Sequence, residues 1–462
     1  MKNIRFKSRL LGVFMIACAS TAFSQVYNNY NRTLLEDNGS TLTWTQNQRN
    51  LDVALVPLIG LQHQGNSQAL VLLSNNAVSP SIAAGSWYNI DATAVIGAIN
   101  RATAAYQTFL NQLAPGIYTT LPTILFNGAN VQNTQIQQRL WAVRSAFPEA
   151  TLPQDNQGEG KRVFPSGKNV TTPTVEPGRN WTTFIDGNGM WSQSQSVNNL
   201  PSYNTYAGGV QAGASYELMK GLSVGPYVGY QGARVNFSGN NGGGSSAVDN
   251  SVRFGLFGEY SKGGWYTDGI VGGAYNSVAV NHGIAIPGYT GLPYNSMAKG
   301  NVSGGEFDSL LGTGYEFKIG KLAFGPSTSL QYTYLHLGDT QETGAGILNQ
   351  RIGSQDANSL LYTLGGQASY AVDLTRTVKL QPYASLSWQH EFLQNGYNLN
   401  STVLGQNYAY GTANPGRDQY LAGLGANLVL TRALAFYAVC NLINGDNRVF
   451  SQAVSGGINC RF

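Results

Sequence analysis

Any catalysis here would have to start from four histidines, His63, His282, His336 and His390, and a thin scatter of carboxylates. A base that activates water must share one small space with its acid partner. His282, His336, Asp339 and Glu342 fall in or beside long loop stretches and could form a hydrolytic site there. No spacing singles them out. His390 stands beside Glu391 near a strand end. The G-x-S-x-G match GLSVG (221–225) opens a strand after a tight turn and is not a strained strand-to-helix elbow, and no GDSL-type nucleophile motif occurs. The glycine run GNNGGGSSA (239–247) lacks the Lys-Ser/Thr of a phosphate cradle, and the acidic pairs are too isolated for calcium. Cys440 and Cys460 lack metal-site spacing and sit at apolar positions of strands. The expectation is a chain with no active site, metal or cofactor.

Composition points to a surface that is not aqueous. Charged residues make up 11% of the 462 residues, against roughly 25% in soluble proteins. Fifty-seven glycines and 11% aromatics accompany the deficit. The net charge of +4 forms no basic patch, so nucleic acid is not an expected partner. Residues 1–24 read as a secretory signal: Lys2, Arg5, Lys7 and Arg9, then LLGVFMIACAS, then small residues before Gln25. Cys18 raises lipoprotein processing as a rival reading, to which MIAC is a poor match. No other stretch approaches the ~20 apolar residues of a membrane helix, so any spanning falls to strands.

From Trp181 onward the chain alternates. In TYAGGVQAGASYEL, Tyr206, Val210, Ala212, Ala214, Tyr216 and Leu218 share one parity, with Thr205, Gln211, Ser215 and Glu217 on the other. Twelve such strands are expected, near 181–191, 204–218, 222–235, 250–261, 265–277, 304–317, 321–334, 359–372, 377–392, 418–430, 433–442 and 450–462. Their connections alternate between tight turns, such as MKG, KGG, KIG and TRA, and long Gly- and Asn-rich stretches. A soluble sandwich has no reason to gather its tight turns at one end, whereas an outer-membrane barrel does. The fold class expected is therefore all-β, a twelve-stranded antiparallel transmembrane barrel with lipid against its apolar face. Glu217, Arg253, Glu259, Glu306, Asp308 and Glu316 are expected to face the lumen, since charge is costly against hydrocarbon. Pro226, Pro326 and Pro382 recur at one offset after a tight turn, which suggests a bulge or bend.

Upstream, the reading is a short, mostly helical region over 25–150, a passenger or stalk. Leu51–Leu61, Val95–Leu113 and Val131–Arg144 are its helical candidates. Pro115 and Gly116 end the second run. A Pro- and Gly-rich linker, 151–180, joins this region to the barrel at 181–462.

WTTFIDGNGMWS, YAGGVQAGASYELMKGLSVGPYVGYQ and the final SGGINCRF together resemble the autotransporter β-domain over about 280 residues. The upstream TWTQNQRNLDVAL, LNQLAPGIYTTLP and VQNTQIQQRLWAVR are similar to helical segments that precede such barrels. The resemblance implies a monomer in the outer membrane, inserted by the barrel-assembly machinery with periplasmic chaperones, with Phe462 read as the assembly signal. It also implies a segment crossing the pore, either the linker or Val131 to Arg144, and a passenger at the cell surface. With only about 125 residues ahead of the linker, a large secreted cargo is not expected. The function expected is translocation or display without catalysis. The alternatives are a stand-alone pore or adhesin-like barrel, and a rim hydrolase.

Overall fold

The computed structural model describes residues 110–146, 181–196, 200–239, 243–286, 294–394, 396, 398–411, 416–446 and 449–462. The signal segment, Leu51–Leu61 and the linker 151–180 lie outside the described residues. Two helices come first, α1 (Gly116–Thr119) and α2 (Leu121–Ala146). The strands follow as β1 (Trp181–Ser194), β2 (Ser202–Met219), β3 (Leu222–Ser238), β4 (Ser246–Lys262), β5 (Trp265–Ile286) and β6 (Tyr294–Tyr315). Next come β7 (Phe317–Ile319), β8 (Leu322–Leu337), β9 (Thr340–Gln341), β10 (Arg351–Ile352), β11 (Gln355–Tyr370) and β12 (Val372–Asp373). The last are β13 (Lys379–Glu391), β14 (Asn398–Val403), β15 (Gln406–Gly411), β16 (Asp418–Val429), β17 (Leu434–Gly445) and β18 (Val449–Arg461).

Twelve long strands, β1–β6, β8, β11, β13 and β16–β18, pair antiparallel with their neighbours, and β18 returns to β1. The seam runs from Gln193↔Phe450 to Thr182↔Arg461. Beyond it, Trp181 N–H donates to the Phe462 carbonyl at 3.1 Å and Phe462 N–H to the Trp181 carbonyl at 2.9 Å. Closure leaves the long strands no free edge. No helix among the described residues is long and apolar enough to cross a membrane.

The outside of this barrel is oily. Ile185, Val210, Phe254, Leu256, Leu311 and Leu386 are all more than half exposed. Between them, Gln211, Arg253, Gln331 and Asn427 point inward and are buried. A soluble sheet has the opposite arrangement.

Toward the long-loop end the parity inverts. Along β5, inward Asp268 and Asn276 give way to inward Val278, Val280 and Ile284, while Ser277 and Asn281 now face out. β3 does the same with inward Val235 and Phe237, and β8 with Leu335 and Leu337. Lipid on the outside demands apolar outward residues, whereas water there lets the apolar residues turn in and build a core. The strands therefore run on beyond the lipid. β5 extends to Ile286 and β6 starts at Tyr294, where the alternation placed boundaries at 277 and 304. Long loops add a four-stranded sheet, β15-β14-β10-β9, at this end.

The three prolines are not at bulges. Around Pro226 the β2–β3 ladder lacks pairs between Gly213↔Tyr227 and Tyr216↔Val224, yet its register does not shift there. Gaps of the same length flank Pro326, between Gly314↔Ser327 and Phe317↔Phe324, and Pro382, between Ser369↔Tyr383 and Val372↔Leu380. Proline has no N–H for the ladder, so pairing lapses for two residues and resumes in step. Before two of them stand Gly225 and Gly325, where a Cβ would overlap the carbonyl oxygens of Ala214 and Tyr315. Only glycine lets the neighbouring backbone come that close.

Candidate functional site

The candidate site is the lumen, and the chain's own helix fills it. At ~1.5 Å per residue, the 26 residues of α2 run for roughly 39 Å, enough to cross a ~30 Å hydrocarbon layer. Its sequence, LPTILFNGANVQNTQIQQRLWAVRSA, is a poor free helix, with Asn127 and Gly128 about two turns from its start. The walls stabilise it. Helical character begins earlier than the 131–144 expectation because α2's first turns are apolar and packed. The run expected to end at Pro115 is helical over 110–113 among the described residues.

Amide side chains of α2 reach partners on both sides of the lumen. Gln135 Nε2 donates to the Gly187 carbonyl (3.0 Å) and Gln135 Oε1 accepts from Asn188 Nδ2 (2.9 Å), both partners on β1. Asn133 donates to Asp308 on β6 (2.9 Å), and Gln137 to Asp268 on β5 (2.8 Å). On the opposite wall, Ser455 of β18 donates to Gln138 (3.1 Å), and Asn427 of β16 donates to the Ala142 carbonyl (2.9 Å). Each bond satisfies a polar group that the lumen hides from bulk water.

Electrostatics sort the same way. α2 carries Arg139 and Arg144 and no acid. Inward on the wall stand Asp186, Asp249, Glu259, Asp268, Glu306 and Asp308, against Arg253. Arg253 lies at mid-depth, 3% exposed, bridging Glu306 (2.5 Å) and Asp308, and its Nε donates to Gln132 of α2 at 2.7 Å. Nearer the tight turns, Arg144 bridges Glu259 at 2.5 Å and lies over the Tyr266 ring. Arg139 is fully buried with its guanidinium 3.9 Å from the Phe184 ring centroid and 4.5 Å from that of Phe257. A cation between two aromatic faces is held by their quadrupoles.

Of the six charged residues singled out from the sequence, Arg253, Glu306 and Asp308 form one buried centre and Glu259 meets Arg144. Glu217 and Glu316 lie at the tight-turn rim, where they pair with Arg461 (3.0 Å) and Lys318 (2.9 Å). Sequence reasoning passed over Asp186 and Asp268. Each precedes a glycine, and an Asp-Gly pair reads first as a turn. Their inward parity was the available signal.

At the long-loop end the chain leaves through a clamp. Ile117, Tyr118, Leu121, Ile124, Leu125 and Phe126 share one buried cluster with Val235, Phe237, Val280, Leu335, Leu337, Ile352 and Leu399. Glu342, beyond β9, lies at the centre of a polar network. Its carboxylate accepts from the Tyr118 hydroxyl (3.0 Å) and the Gln350 N–H (3.0 Å), and it meets His282 Nδ1 at 3.0 Å. His282 Nε2 donates to the Gln112 carbonyl at 2.9 Å. Tyr408 and Gln350 both donate to the Leu113 carbonyl. Burial, and then the adjacent Glu342 carboxylate, push the Tyr118 pKa far above its ordinary value, so this phenol stays a donor.

The four rim residues weighed for hydrolysis do not form one site: only His282 and Glu342 meet. His282 and Glu342 are buried against the emerging chain, while His336 pairs with Asp356 and Asp339 with Arg351 on the exposed side. His390 binds Asp418 at 2.8 Å. One side of the lumen is looser. Ser327, Ser329, Thr363, Gln367, Ser385 and Gln389 line a polar crevice of about 140 Å³ alongside α2.

Residues 183–440 match the family described as Autotransporter beta-domain. No curated protein sequence matches the chain. Among solved structures, the translocator domain of autotransporter NalP from Neisseria meningitidis is similar at a TM-score of 0.50 and 13% identity. The match covers 73% of this chain and 98% of that one. The beta domain of the Bordetella autotransporter BrkA matches at 0.46 and 18% identity, over 61% of this chain and 100% of that one. The transport unit of AIDA-I from Escherichia coli matches at 0.41 and 14%, over 63% and 94%. At these identities the likeness shows the fold alone.

Proposed function

Because this chain belongs to the autotransporter β-domain family, an outer-membrane barrel set in lipid, we propose that it displays its own N-terminal region at the cell surface and performs no catalysis. The observation that carries the proposal is the polarity of α2. Its first turns lie in the long-loop clamp, and its last turn, at Arg144, lies beside the tight turns near Glu259. With tight turns periplasmic, the chain ahead of Leu110 emerges outside and residues 147–180 return to β1 from the periplasm. Barrel assembly and folding of the exported segment supply the driving force, since the sequence holds no nucleotide motif. Protease added to intact cells should remove an epitope placed ahead of residue 110 and leave the barrel whole. Full protection of that epitope would overturn the reading.

Phe462 serves, on this reading, as the signal for the assembly machinery. Its backbone pairs with Trp181 at the seam, and its ring is exposed beside the lipid-facing wall. Deleting it should leave most of the chain without heat-modifiable electrophoretic mobility, the mark of a folded barrel. Unchanged mobility would remove that role.

A second reading, a narrow pore, is favoured by the crevice along β8, β11 and β13. Steady conductance through the intact protein would support it.

A further inference from the structure

Charge at the two rims is unequal. Every tight turn carries an exposed cation in or beside it: Lys220 between β2 and β3, Lys262 closing β4, Lys318 and Lys321 between β6 and β8, Arg376 between β11 and β13 with Lys379 opening β13, and Arg432 between β16 and β17. Against them stand the exposed Asp373, paired with Lys321, and the half-buried Glu217 and Glu316, paired with Arg461 and Lys318. At the long-loop end Arg234, Lys299, Arg351 and Arg417 are set against Asp339, Asp356, Asp418 and Asp446, an even balance among the described residues.

From this we infer that the tight-turn rim is a collar for anionic phospholipid headgroups of the adjoining leaflet. Two features choose lipid over an acidic protein. The cations occupy all five tight turns and so encircle the barrel, whereas a docked protein would touch one side. They also stand directly below outward apolar residues, Met219, Trp265, Ile319 and Phe462, each more than half exposed. Acyl chains cover those residues, which places phosphates within reach of lysine and arginine stems on turns too short to extend elsewhere. Phosphate at that depth adds an anionic contact to the cations already lying there.

The test uses the full-length protein in nanodiscs of equal phosphatidylglycerol and phosphatidylcholine with identical acyl chains. Lipids retained after release are counted by native mass spectrometry. The wild type should retain about five-fold more of the anionic lipid, and 0.5 M salt should reduce the excess. Replacing Lys262→Gln, Arg376→Gln, Lys379→Gln and Arg432→Gln together should bring retention near parity, with heat-modifiable mobility kept because all four side chains are exposed. Equal retention by the wild type, or an excess that survives the four substitutions, overturns the proposal. So does an acidic protein that co-purifies from cells with the wild type alone while lipid counts stay equal. None of these outcomes depends on which way the N-terminal region travels.

Discussion

Removing residues 110–146 raises conductance through the barrel on the order of ten-fold or more, with folding retained. The barrel wall closes on itself through backbone pairs that owe nothing to α2. What α2 supplies is occupancy: its amides and two arginines meet the wall at most heights, and a crevice along one side is left open. Without them, water enters and solvates the inward carboxylates, so the deletion removes bonds without stranding buried charge. Those carboxylates would then outnumber the inward cations, and the opened pore should prefer cations. Planar-bilayer recording of both proteins measures the step size and the selectivity. Equal conductance in the two would mean that α2 does not fill the lumen. Loss of the heat-modifiable form in the deletion would mean that the wall needs its plug to fold.

Arg253→Ala should destabilise the assembled barrel by about 3–5 kcal/mol, the cost of leaving buried charge uncompensated. Arg253 answers both Glu306 and Asp308, and neither carboxylate side chain is exposed. It also ties the wall to Gln132. Truncation therefore strands two carboxylates and frees one helix contact. A compensated variant separates charge from packing: Arg253→Met with Glu306→Gln and Asp308→Asn should recover most of the loss. The readout is the temperature at which heat-modifiable mobility disappears. An Arg253→Ala barrel as resistant as the wild type would contradict the burial described here. A triple variant no better than the single one would place the loss in packing.

How far these features were legible in advance follows from what alternation encodes. It reports which side of a strand is oily, so the twelve strands and their tight turns could be read directly. It carries no label for what touches the oily side. Above the lipid the oily side becomes the inside, and the pattern Val278, Val280, Ile284 continues with opposite meaning. The strand ends were misplaced for that reason. α2 was half-visible because its amide-rich middle looks like a solvated helix, and only the facing wall shows why Gln132, Asn133 and Gln137 are there. Arg139 was invisible, since its two partner rings lie on β1 and β4, 45 and 118 positions further along the chain. The clamp joins Glu342 to Tyr118 across 224 positions. No local pattern could have linked them.

Membrane-impermeant maleimide labelling of intact cells tests the threading most directly, on a chain with Cys440 and Cys460 changed to alanine and a single cysteine at either Ser67→Cys or Ser166→Cys. If α2 passes outward through the barrel, the first site labels on whole cells and the second labels only after the outer membrane is breached. Labelling of the second site on intact cells, or protection of the first, contradicts it.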